Sequence, residues 1–153
     1  MYRALSLIAF LLAAPALAGE CGPRIDQAQL QRLTGEVQQG VFGLAAYGES
    51  LASRPEANSV EHLVRQLLVL SERIGRVAQL VEIRDAMRHP GEKSFVQFKL
   101  SHEASLLKLA SSGARRGLED LFSRRESAGE GPARLRDALA RAEALFAACD
   151  SPM

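Results

Sequence analysis

One stretch limits the fold more than any other. Between residues 60 and 81, apolar side chains recur at Val60, Leu63, Val64, Leu67, Leu70, Ile74, Val77, Ala78 and Val81. Intervals of three and four place them on one stripe of an α-helix, whereas a half-buried strand needs an interval of two. An a/d-like repeat held over about three heptads is the pattern of a helix in an antiparallel bundle. The start is marked by Asn58 as N-cap, with Glu61 closing a capping box. The helix should run to about Arg88, because His89-Pro90-Gly91 follows and proline pushes the preceding residue out of helical geometry.

Three further segments carry the same period. The first should open at Asp26, with Gln29 reaching back to complete a capping box and Ile25 and Leu30 placed as a hydrophobic staple. Its stripe is Leu30, Leu33, Val37, Val41, Leu44 and Leu51, and it should end by Ser53, ahead of Pro55. Gly40, within that stripe, marks either a bend or a close approach of another backbone. The third segment restarts at Pro90, a residue suited to a first helical turn. Its apolar residues are Phe95, Phe98, Leu100, Leu106, Leu107 and Leu109, then Leu118, Leu121 and Phe122. Ser111-Ser112-Gly113 weakens the pattern, so the helix reaches about Arg125 either unbroken or kinked. The fourth opens at Pro132 and carries Leu135, Leu139, Ala142, Phe146 and Cys149. The expected fold is all-α, an antiparallel up-down four-helix bundle.

The two ends of the chain add a constraint. Met1-Tyr2-Arg3 followed by the apolar run Ala4–Ala14, then Pro15 and Ala16-Leu17-Ala18, reads as a secretory signal peptide cleaved after Ala18. The run is shorter than the roughly 20 residues that span a bilayer. Glu20 stands between Gly19 and Cys21, which weighs against lipidation of that cysteine. Residues 19–153 are then one helical domain, expected in the periplasm or secreted. Cys21 and Cys149 are the only cysteines, and one pair in an exported chain reads as a disulfide. Closing nearly the whole domain, it stabilises by about 4–5 kcal/mol in the chain-entropy model. It also requires the ends to lie together, as they do when the number of antiparallel helices is even.

Charge excludes some partners. Nineteen Lys and Arg against eighteen Asp and Glu give a net charge of +1, so nothing favours nucleic acid or an anionic membrane as a generic partner. Arginine dominates the cations, with only Lys93, Lys99 and Lys108 as lysines. The pairs Arg115-Arg116 and Arg124-Arg125 are interleaved with Glu119, Asp120 and Glu126, the mark of a salt-laced solvated face.

No constellation names a reaction. Gly48-Glu49-Ser50-Leu51-Ala52 lacks the final glycine of a nucleophile elbow, and Gly129-Glu130-Gly131 is a lone Gly-x-Gly. None of His62, His89 and His102 follows an acidic residue by three positions, as a di-iron bundle requires. The Cys-x-x-Cys-His of attached haem is missing too. His102, between Phe98 and Leu106, is expected as a neutral imidazole at the core edge. His62 falls on a polar side, and His89 sits at a helix end, where it acts as a cap. No catalytic, cofactor or metal-binding residue is therefore assigned. In export signal, size and single cysteine pair the chain resembles the small helical pilot proteins of secretion systems, a resemblance of class that no motif carries.

One feature exceeds what folding needs. At about 100° per residue, Val69, Leu80, Ile83 and Met87 fall opposite the seam of the second helix, beside Glu72, Arg73, Arg76 and Arg84. A short apolar strip among arginines is what a protein-binding groove or dimer contact requires, and also what burial beneath the third helix would produce. The expected function is a non-catalytic, exported protein-binding module, such as an accessory, chaperone, immunity or adaptor protein. The alternative is a bundle that holds a ligand, metal or haem in its interior, with His102 as the residue to watch.

Overall fold

The computed structural model describes residues 25–51, 54–123 and 130–148. Within them the chain forms four α-helices and no strand: α1 (Gln27–Ser50), α2 (Glu56–Ala86), α3 (Pro90–Phe122) and α4 (Glu130–Ala147). The signal segment and both cysteines, Cys21 and Cys149, lie outside the described residues.

The helices pack in a closed ring, α1 on α2, α2 on α3, α3 on α4 and α4 back on α1. Side-chain pairs fix their directions. Leu63 of α2 faces Gly117 of α3, each a similar distance from the turn at Met87–His89, so that pair is antiparallel. Glu36 binds Arg141 while Gly40 meets Leu135, so α1 and α4 run opposite ways. Arg115 of α3 binds Glu143 of α4 at 3.2 Å.

The expected seam of α2 is the observed one. Val60, Leu63, Leu67, Leu70, Ile74, Val77 and Val81 are buried, and all but Val60 join one core cluster with Leu30, Leu33, Val37, Val41 and Leu44 from α1. From α4 come Leu135, Ala138, Leu139, Ala142 and Phe146. Each such leucine or phenylalanine contributes on the order of 1.5–3 kcal/mol by leaving water.

Two local features differ from expectation, and a third decides between alternatives the pattern left open. Asn58 does not cap α2. The helix starts at Glu56 with Pro55 at the cap position and no side-chain cap bond. The chain is wound in instead by Arg54 N donating to Leu51 O (2.8 Å) and Ala57 N to Arg54 O (3.0 Å). α3 passes through Gly113 unbroken, because Ser111 and Ala114 on either side are held in the core. α4 begins two residues before Pro132. Asp26 caps α1 as expected, accepting from Ala28 N at 3.2 Å, and α1 is continuous through Gly40. That glycine serves close approach: a Cβ there would lie 2.5 Å from Cδ1 of Leu135.

Candidate functional site

α3 carries two apolar stripes, and only one of them is buried. Its core face is Val96, Leu100, Ala104, Leu107, Ser111, Ala114 and Leu118. Spaced by three and four, these residues form a complete seam. Phe95, Phe98 and Leu109 are out of phase with it, and they are 63%, 65% and 69% exposed. His102 lies on the same outer side and is exposed, which corrects its expected place at a core edge. The aromatic stripe that suggested a core there itself faces water.

α2 continues this surface. Val69 and Ile83 are exposed by 53% and 46%. Leu80 and Met87, from the same strip, are partly buried against the core. Arg76 is exposed and held by Glu72 at 2.5 Å. Arg84 is largely covered and pairs with Asp85 at 2.8 Å. That hydrogen bond lowers the Asp85 carboxyl below its ordinary range.

Position around each helix decides whether the two stripes join. Leu63 marks the side of α2 that faces α3, and Val60 the side that faces α1, since it meets Gly48. On α3, Gly117 marks the side toward α2 and Arg115 the side toward α4. Stepping about 100° per residue from these marks, Val69, Leu80, Ile83 and Met87 fall on the shoulder of α2 next to α3. Phe95 and Leu106 fall on the shoulder of α3 next to α2, with Phe98, His102 and Leu109 beside them. The hairpin therefore bears one apolar surface along its outer groove, with half-buried Leu80, Met87 and Leu106 as its floor.

A second concavity lies between α1 and α4. This cleft of about 660 Å³ is lined by Gly40, Gly43, Leu44, Tyr47, Phe122, Pro132 and Leu135, with Glu36, Gln39, Arg134, Asp137 and Arg141 among its polar residues. Tyr47 and Phe122 pack at 5.5 Å between ring centres. Gly43 opens directly into the space, because a Cβ there would meet nothing within 4 Å. The Glu36–Arg141 pair ties the two helices together.

The other singled-out groups have local roles. His62 is exposed and shares a hydrogen bond with Gln66 at 3.0 Å. His89, expected to cap the C-terminal end of α2, lies two residues beyond its C-cap Met87 and stands at the N-cap of α3 without a side-chain cap bond. Arg115 binds both Glu119 and Glu143. The hydrogen bond to Glu143 raises its pKa further above its already high ordinary value. Arg124 and Arg125 lie outside the described residues. Among the described residues, no three His, Cys, Asp or Glu side chains gather as a metal site would need, and no helix is long and apolar enough to cross a membrane.

Fold and surface together define an antiparallel helical bundle with an apolar hairpin face. Comparison of the chain with protein-family models, curated proteins and solved structures finds no match.

Proposed function

We propose that the chain acts after export, in the periplasm or outside the cell, as a non-catalytic module that holds a protein partner on the outer face of the α2–α3 hairpin. Accessory, chaperone, immunity and adaptor proteins work in this way. The observation that carries the reading is the second stripe of α3. Phe95, Phe98 and Leu109 remain in water on a helix whose buried seam is already complete without them. Covering such area is favourable by roughly 25 cal/mol per Å², and folding leaves that energy unused. Residues 1–18, with their apolar run and small residues before the cleavage point, support export. A disulfide between Cys21 and Cys149 belongs to the same proposal. It is supported by the antiparallel register of α1 and α4, which sets the start of one beside the end of the other.

The test is Ile83→Asp in the mature protein. Ile83 is half exposed, so its circular dichroism melt should stay within a few degrees of wild type, while the partner that wild type retains in a pull-down should be lost. A folded variant that keeps its partner would move the contact elsewhere. A variant that unfolds would place Ile83 in the core, where an unpaired carboxylate is not tolerated.

The α1–α4 cleft favours a second reading, a bundle that binds a small amphipathic ligand between its helices. Gly43→Phe sends a ring into that cleft from a position whose Cβ meets nothing within 4 Å. Apolar dye or fatty-acid binding that disappears in this folded variant would support the second reading, and binding that persists would oppose it.

A further inference from the structure

The outer groove of the hairpin has a length and a charge pattern that specify its occupant. Val69 to Met87 spans eighteen helical steps, about 27 Å at 1.5 Å per residue. The register set by Leu63 opposite Gly117 brings Leu109 near the level of Val69, His102 near Arg76, and Phe98 and Phe95 near Leu80 and Ile83. Apolar side chains therefore cluster at both ends of the groove. Cations occupy its middle, Arg73, Arg76 and Lys99, with the His102 ring beside them. Arg76 is answered by Glu72. Arg73 and Lys99 are in no ion pair among the described residues, and the Lys99 ammonium lies 5.6 Å from the centre of the Phe95 ring.

This arrangement disfavours a second copy as occupant. A two-fold axis pairing the groove with itself would pass near its midpoint, at the level of Arg76 and His102. Arg73, Arg76 and Lys99 would then meet their own counterparts, and like charges brought together across an interface repel and suppress the pairing. A straight groove along two helices instead suits a third helix, laid in through anchors three and four residues apart.

Resting on the proposed protein-binding role, we propose that the groove docks an amphipathic helix of a partner protein. That helix is about five turns long, with apolar anchors toward both ends and carboxylates in its middle turns. Phe98 and Ile83 grip the anchors, and Arg73 and Lys99 receive the carboxylates.

Two fluorescein-labelled 18-residue helical peptides test this, sharing a leucine seam and differing in whether Glu or Lys fills the middle polar positions. In anisotropy titrations the mature protein should bind the Glu peptide at least about tenfold more tightly than the Lys peptide. Phe98→Asp should abolish binding with the melt unchanged. Arg73→Glu combined with Lys99→Glu should invert the preference. Equal binding of the two peptides, or binding of neither, overturns the proposal. So does dimerisation on a sizing column that Phe98→Asp abolishes, or wild-type binding to phosphatidylglycerol vesicles in preference to the Glu peptide. Failure here is separable from failure of the parent reading. If Ile83→Asp releases the native partner while the charge swap inverts nothing, the face binds protein but not an acidic helix.

Discussion

Ser111 sits in the middle of the buried face of α3, fully covered, with its hydroxyl lacking a hydrogen-bond partner among the described residues. An unsatisfied buried hydroxyl costs on the order of 1–3 kcal/mol. Ser111→Ala should therefore raise stability by about 1 kcal/mol, measured by urea denaturation, and a loss of stability would show that the hydroxyl is satisfied in solution. Gly40 and Gly43 make a sharper pair. Alanine at Gly40 drives a Cβ to within 2.5–3.0 Å of three Leu135 side-chain atoms, including the branching carbon, which a simple methyl rotation cannot clear. Overpacking of this kind costs roughly 1–3 kcal/mol. Alanine at Gly43 meets open space and gains helix propensity of up to about 1 kcal/mol. The two variants should move the denaturation midpoint in opposite directions. Equal shifts would mean that α1 and α4 are not in close contact at Leu135.

At the scale of the element, α3 shows what a sequence can and cannot disclose. The seam of α2 is legible because one phase runs unbroken from Val60 to Val81 and outweighs the shorter strip opposite it, and α1 and α4 each carry one dominant stripe. α3 has apolar residues in two phases, and hydrophobicity alone does not choose between them. The larger side chains, Phe95, Phe98 and Leu109, attract the assignment, yet Val96, Ala104, Ser111 and Ala114 line the interior. Small residues suit a face enclosed by neighbouring helices, and that reason becomes visible only once the neighbours are in place. His102 is misplaced by the same error of phase. The strip on α2 is legible as apolar positions opposite a seam. Its junction with the aromatics of α3 depends on the hairpin register, which no local pattern contains. The phase has a direct check. Leu100→Glu should unfold the domain by burying a charge, whereas Phe98→Glu, two residues away, should leave the melt within a few degrees of wild type. Comparable destabilisation by both would return Phe98 to the core.

For the molecule as a whole, the proposed bridge between Cys21 and Cys149 is the test of how its ends are joined. Reduction should lower the melting temperature by roughly 10–20 °C, as about 4–5 kcal/mol implies for a domain of this size. Two free thiols on titration of natively exported protein would remove the bridge. The closed ring of helices also implies an order of assembly. The α1/α2, α2/α3 and α3/α4 contacts each form across a short connection. The α1–α4 seam must bring together residues as far apart as Glu36 and Arg141, 105 positions along the chain. Loop-closure entropy makes such an encounter the late one. Side chains at the α2–α3 interface, such as Leu63 beside Gly117, should therefore already be engaged at the folding barrier, with Leu135 joining after it. A bridge formed before the helices pack would hold the two outer helices near each other from the start, turning the slowest step of folding into a local one.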